Sequence, residues 1–427
     1  MAWLTVVMSA NAQSINNYVF STNTSSSLNR TAGSLIDDID MNTGTTNLIG
    51  GSQSNTTIAL QNIGFDFFVN GTRVTQYNVT SNGWVGLGNI AFTTQGFLVS
   101  NGIRLAPFLG STSSIGTSSI GRIHSKVVGA QPNRVLVVEF LRMAIQSNVV
   151  NDTNTFQVRL YEATGAIEYV YGKMNLTSGA PLSFNVGFQF TTALYQHVNT
   201  TTHTASTSNS TANAYVSNGP MVGLDGASPG SQRAYTWIPN PINDAGSVSA
   251  SAITTTGMTL SWNNVANEVG YAIYRSVDGG VTYSWVANTG VNITTFNATG
   301  LLANTTYNWR VYAVRESISA PADGVATTAP ATKFFTVASG NWNTPGIWNT
   351  NSVPSAQDSA EISVSHNVVL DATSVASGTL IVKGNLSYWV NSTPQTFTAN
   401  GDVIIENGGT FTAGGASFTV GTPFRLN

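Results

Sequence analysis

The chain has 427 residues, a formal net charge of -3, no cysteine, and only 8% charged residues against 41% hydrophobic ones. The length makes two to four domains the expectation at roughly 100–200 residues each. Without a Lys/Arg cluster to neutralise phosphates, nucleic acid is excluded as a partner, and without cysteine there are no disulfides, thiolate metal sites or Cys nucleophiles. Thr, Ser, Asn and Gly replace the missing charge, while Val, Ile, Phe, Tyr and Trp recur in short alternating runs. That pattern predicts an all-β chain rather than a disordered one.

Residues 1–12 read as the remnant of a signal peptide. Trp3 to Met8 is a short apolar run, and Ser9-Ala10-Asn11-Ala12-Gln13 is an A-x-A-like cleavage pattern, with cleavage expected after Ala12. The run is too short to span a bilayer and lacks a positive flank, so an ordinary buried first strand is the alternative. No other stretch approaches ~18 consecutive apolar residues, so no transmembrane segment is expected. The predicted location is extracellular or on a bacterial cell surface.

Residues 13–241 read as an N-terminal β-sandwich of jelly-roll or lectin-like shape. Phe65 and Phe67 alternate with Asp66 and Phe68 before Asn70-Gly71, a pair that accepts positive φ in a tight hairpin, and a return strand follows through Val74, Tyr77 and Val79. Asn82-Gly83 precedes another strand, Trp84 to Leu87. Further strands are predicted over 134–143, 155–162, 167–171 and 184–190, the second and third joined by Glu162-Ala163-Thr164-Gly165. In the last, Phe184, Val186, Phe188 and Phe190 define a core face, and Asn185, Gly187 and Gln189 a wet one. The stretch 197–213 reads as a Thr/Ser/Asn/His-rich surface loop.

Residues 242–329 carry a more specific pattern: Leu260-Ser261-Trp262, Tyr271 to Arg275, Asp278-Gly279-Gly280, Gly300-Leu301 and Tyr307 to Val314. It resembles a fibronectin type III module. Leu260 and Trp262 then point into a sandwich, and Tyr307, six residues after Leu301, stands where the tyrosine corner bonds back to the backbone. Ala303 departs from the proline often found there.

Residues 330–427 read as the start of a parallel β-solenoid. Gly340-Asn341-Trp342 and Gly346-Ile347-Trp348 open the stretch, with the two tryptophans as capping side chains. Segments beginning at Leu380, Phe397 and Phe418 align as repeats of about 17 to 21 residues. A small β-sandwich is the alternative. The pattern runs to Asn427, so the polypeptide is expected to continue or to have that end covered by a partner.

The run Leu35-Ile36-Asp37-Asp38-Ile39-Asp40-Met41-Asn42-Thr43-Gly44, followed by Ile63 to Phe67 and Ser81-Asn82-Gly83-Trp84, resembles the N-terminal domain of large surface and secreted proteins of Bacteroidota. The module order is similar to theirs too. That resemblance implies export by type IX secretion machinery and a role as an adhesin, a gliding or filament component, or the non-catalytic part of a polymer-degrading enzyme.

Few residues suggest chemistry. Asp38, Asp40 and Asn42 have the alternating oxygen spacing of a calcium loop, but Thr43 stands where the turn glycine belongs and no twelfth-place Glu follows, so an acidic turn is the favoured reading. Asp358 and Glu361 near His366 could pair as acid and base, but they lie in a repeat-like β-segment. His124, His197, His203 and His366 match no helical metal spacing and read as surface side chains. Trp84, Trp237, Trp285 and Trp389 are stacking candidates for sugars, with core or strand-edge packing the favoured reading for each. No nucleophile elbow or nucleotide loop appears, so no enzyme and no cofactor are expected.

The leading expectation is therefore a structural or adhesive surface protein that contacts an extracellular polymer, a surface glycan or other copies of itself. The alternative is the non-catalytic, carbohydrate- or substrate-binding region of a secreted polysaccharide-degrading enzyme. A viral fibre is a third reading, disfavoured by the signal-like start.

Overall fold

The computed structural model describes residues 14–24, 43–88, 97–98, 102–110, 115–145, 154–176, 182–215, 219–221, 223–224, 233–372, 374–388, 396–412, 417–420 and 424–426. Residues 1–12, Asp38, Asp40, Asn42 and Trp389 lie outside them. Among the described residues there are strands and two short 3-10 turns and no α-helix.

The first body is an antiparallel two-sheet sandwich. One sheet runs, in spatial order, Tyr18–Asn23, Ala234–Pro239, Ile167–Tyr171, Asn154–Tyr161, Val135–Ile145, Ile115–Val128 and Thr46–Ile49. The other runs Thr204–Ser206, Leu194–Asn199, Leu182–Thr191, Ile103–Gly110, Trp84–Leu87, Thr72–Thr80 and Gln61–Val69, with Asn213–Tyr215 also on Leu182–Thr191. Period-two alternation aims the aromatic side chains inward, where Phe108 stacks on Phe184 at 4.5 Å and Phe140 on Phe156 at 4.7 Å. At the Asn70-Gly71 turn φ is 48° and 74°, the paired positive values of a twist-matched two-residue hairpin.

Two expectations need correction here. The second face of Leu182–Thr191 is not wet: Gln189 is fully buried, because Trp84, Phe97, Ala106, Leu109 and Tyr195 form a further apolar cluster on that side of the sheet. The stretch 197–213 is not simply a surface loop. It holds part of Leu194–Asn199, the strand Thr204–Ser206 and the start of Asn213–Tyr215, fastened by Asn213, whose Oδ1 accepts from Thr200 N at 2.9 Å and whose Nδ2 donates to Val198 O at 2.9 Å.

The second body has the two-sheet order of a fibronectin type III sandwich. Ser249–Ser251, Met258–Ser261 and Thr295–Ala298 form one sheet; Ser284–Thr289, Gly270–Ser276, Thr306–Val314 and Ala322–Thr327 form the other. Leu260 and Trp262 are buried between them, and the Tyr307 hydroxyl accepts the Leu302 N–H at 2.8 Å, the expected corner. Asp278 closes its hairpin by accepting from Val281 N and Thr282 N.

The two sandwiches touch along two lines. Phe68, on the outward face of Gln61–Val69, is buried against Ala272, Tyr274 and Val314. The turn after Thr306–Val314 reaches back, where the buried Glu316 carboxylate accepts from Ser14 N at 3.2 Å and Asn17 Nδ2 at 2.7 Å.

The third body is a parallel β-solenoid of about three turns. Its three sheets stack in register: Ala360, Leu380 and Val403 form one column, Val368, Leu386 and Phe411 another, Val375, Phe397 and Phe418 a third. Phe397 and Phe418 are therefore equivalent, as the repeats predict, but Leu380 is not their counterpart. It belongs with Val403 and Phe424 on a different sheet, because each turn has three strands and the turns differ in length. Trp342 and Trp348 meet edge to face at 4.9 Å, and Trp342 packs on Phe397 at 5.6 Å, so the pair fills one end of the apolar column.

Candidate functional site

The histidines, expected at the surface, divide: His124 and His197 are buried, and His203 and His366 are part buried. His124 and Glu139 are both fully buried, with Nε2 at 2.6 Å from the carboxylate. Arg122 Nε donates to the other ring nitrogen at 3.3 Å, which leaves Nε2–H to donate to Glu139. Gln157 Nε2 donates to Glu139 at 2.8 Å, and Arg159 to Gln157 at 2.8 and 3.0 Å, so polar side chains run across three neighbouring strands. Cross-strand register brings these residues side by side, and solvent reaches neither His124 nor Glu139. His197 is buried too, and burial lowers its pKa to about 4.

Asp358, Glu361 and His366 do not converge. Asp358 accepts from Thr332 N at 3.0 Å and Ser355 N at 2.8 Å, which staples a turn. Glu361 lies between Lys333 and Lys383, each at 3.2 Å, and His366 bonds Thr336 Oγ1 at 2.9 Å. Among the described residues, no group of three or more His, Asp or Glu is placed to hold a metal ion. Of the described tryptophan candidates, Trp84 is buried under the Arg104 guanidinium, and Trp237 is buried with its Nε1 donating to Gln196. Trp285 alone of these is open to solvent, 40% exposed, with Arg73 across its ring at 4.6 Å.

Arg73 and Trp285 come from different bodies and mark a boundary that holds a cleft of about 630 Å³. The first body contributes Phe65 and Asp66 from one hairpin, Arg134, and Glu162 from the loop 162–165; the second contributes Tyr274, Tyr283, Arg310, Tyr312 and the turn 318–321. Strand register places Tyr274 beside Arg310 and Ala272 beside Tyr312 on the outer face of the second sandwich. The rim residues Gln131, Pro132, Ala163, Ala320 and Pro321 are exposed, so the cleft opens to water.

Every charge in it has a partner of opposite sign. Asp66 meets Arg73 at 2.7 Å on one oxygen and receives the Tyr274 hydroxyl at 2.6 Å on the other. Arg134 grips Glu162 through two nitrogens, and Arg310 grips Asp323 at 2.7 and 3.0 Å. The bond to Glu162 holds the Arg134 pKa above its usual value, and the bond to Asp323 does the same for Arg310. Burial, then the Asp66 carboxylate, pushes the Tyr274 hydroxyl far above the ordinary tyrosine range, so it stays a donor. Arg310 also lies 4.1 Å over the Tyr283 ring, and Tyr274 meets Tyr312 edge to face at 5.4 Å. The arrangement offers aromatic surfaces framed by pre-oriented donors and acceptors, which suits binding.

Sequence reasoning missed this cleft because its halves lie about 200 residues apart, as with Asp66 and Tyr274. A signal was present: Tyr274, Arg310 and Tyr312 gather two tyrosines and an arginine on the outer face of two neighbouring strands.

Residues 17–239 match the family model described as NIDO related. No curated protein matches the chain. Solved structures similar to part of it include the FN3 domain of human collagen XX, at 22% identity over 19% of this chain and 88% of that one, TM-score 0.18. FN3tt matches at 23% identity over 21% and 95%, TM-score 0.19. A fibronectin type III domain derived from human KIAA0970 protein matches at 19% identity over 21% and 73%, TM-score 0.18. The type III assignment rests on the strand order and the Tyr307 corner described above.

Proposed function

The chain belongs to the NIDO-related family, and from that footing we propose that it is an extracellular structural and adhesive protein of a bacterial surface, a non-catalytic string of β-modules that holds binding surfaces away from the cell. The observation that carries this reading is the joint between the first two bodies. Phe68 is buried in the neighbouring module, and the buried Glu316 carboxylate bonds back to Ser14 and Asn17. Such a joint favours one stiff unit over two beads on a flexible linker, since modules move freely by default and a buried apolar contact together with a buried hydrogen-bonded carboxylate opposes that motion. The solenoid, in which each turn contacts only its neighbours, suits extension along one axis. Export by type IX machinery in a member of the Bacteroidota is part of the same proposal, motivated by the sequence resemblance.

The cleft favours a second reading, the carbohydrate-binding accessory region of a polysaccharide-degrading enzyme. Both readings require exposure outside the cell. Antibody raised against the first body is expected to label intact, unpermeabilised cells of the source organism or their medium. Labelling only after permeabilisation overturns the proposal.

A further inference from the structure

The cleft differs from an ordinary module joint in three respects. It is open and within the ~300–1,000 Å³ range typical of small-molecule sites, at about 630 Å³. Its walls carry four aromatic side chains, Phe65, Tyr274, Tyr283 and Tyr312, of which Phe65 and Tyr274 are buried and Tyr283 and Tyr312 part buried. Its charged lining residues are all paired: Arg134 with Glu162 inside the lining, and Asp66 and Arg310 with Arg73 and Asp323, which stand behind it.

That balance constrains the ligand. An anion would find each guanidinium already committed to a carboxylate, and a cation would find each carboxylate committed to a guanidinium, so either would have to compete with a partner already in place. A neutral polyol breaks nothing. A paired carboxylate keeps lone pairs and a paired guanidinium keeps N–H groups, all held in fixed planes by the pairing. Hydroxyls on a ring have both donor and acceptor character and can use the two kinds together, while the C–H face of the ring lies on an aromatic surface. An apolar ligand would instead bury these residual hydrogen-bonding groups without partners.

We propose that the cleft between the two sandwiches binds a neutral saccharide, with Tyr283 and Tyr312 supplying the aromatic surfaces and the Arg134–Glu162 and Arg310–Asp323 pairs supplying hydrogen bonds to its hydroxyls. The proposal deepens the binding role above and rests on it only for biological meaning: binding is read on purified protein, and location by the labelling experiment, so one can fail without the other.

The test is calorimetric titration of the full chain with short neutral gluco-, xylo-, manno- and galacto-oligosaccharides, with an oligogalacturonate and a proline-rich peptide run in parallel. At least one neutral oligosaccharide is expected to bind. Tyr312→Ala and Tyr283→Ala are each expected to weaken binding about tenfold or more with the unfolding temperature little changed, and Tyr283→Phe to retain it. Arg310→Lys, which keeps the charge but loses the two-pronged grip, is expected to weaken binding while sparing the fold. The proposal is overturned if no neutral saccharide binds, if the tyrosine variants bind as well as the parent, or if only the oligogalacturonate or the peptide binds.

Discussion

Single residues in this chain are tuned mainly by what covers them, and His197 shows the consequence for pH. Its pKa is lowered by burial to about 4 from an ordinary 6.5, so between those values the unfolded chain takes up a proton that the folded one refuses. Stability should fall as pH drops from about 6.5 toward 4, by at most about 1.4 kcal/mol per pH unit, with solvent screening reducing that figure. Denaturant titrations at pH 7 and pH 5 should show a smaller difference for His197→Gln than for the parent. Part of the slope should survive, because the His203 pKa is lowered in the same direction by burial and by Arg233. Tyr307→Phe, which removes the acceptor for Leu302 N–H, should cost about 1 kcal/mol in the same assay. Tyr307 was legible in the sequence because its corner is set by local spacing. The burial of Trp84 agrees with the packing reading favoured for it, but what covers it was not legible, since Phe97, Arg104 and Tyr195 reach it from separate strands and loops.

Strands and turns were read well wherever the pattern itself decides them. Asn70-Gly71 gives a hairpin because two positive φ values are cheap there, and Ile167–Tyr171 appears with the bounds its alternation predicts. The solenoid was legible as a repeat but not in register, because apolar spacing does not distinguish which of three strands in a turn a residue occupies. Leu380 and Phe397 look alike in sequence and lie on different sheets. The column they build makes a specific demand at its capped end. Trp342 is fully buried against Trp348 and Phe397, and its backbone carbonyl accepts the Trp348 Nε1 at 2.9 Å. Trp342→Ala should therefore cost about 3–5 kcal/mol through the cavity it leaves. Hydrogen exchange should rise in peptides from 333–412 and stay unchanged in peptides from 249–327; an increase spread evenly over the chain would show that the cap acts elsewhere.

At the scale of the whole chain, the question is whether the first two bodies act as one. Sequence reasoning treated them as separate modules and gave no sign of the joint, because Phe68 reads as an outward residue on a half-wet strand. Its burial is supplied by Ala272, Tyr274 and Val314 of the neighbouring module. A phenylalanine on a face that period two assigns to solvent, next to Asp66 and Arg73, is what an inter-module contact looks like before the second module is in view. If Phe68 and Glu316 couple the modules, removing the ring should weaken the coupling more than it weakens either module. Phe68→Ala is thus expected to leave the core of the first sandwich intact, since Phe65 and Phe67 fill that core from the other face. Scanning calorimetry should show the transitions of the two sandwiches merged in the parent and separated in the variant. Small-angle scattering should show a broader distribution of inter-module distances. The cleft depends on the same joint, so saccharide affinity should fall in Phe68→Ala even though the ring contributes nothing to its lining. Unchanged calorimetric traces would mean that the contact is incidental and that stiffness must come from the segment linking the modules.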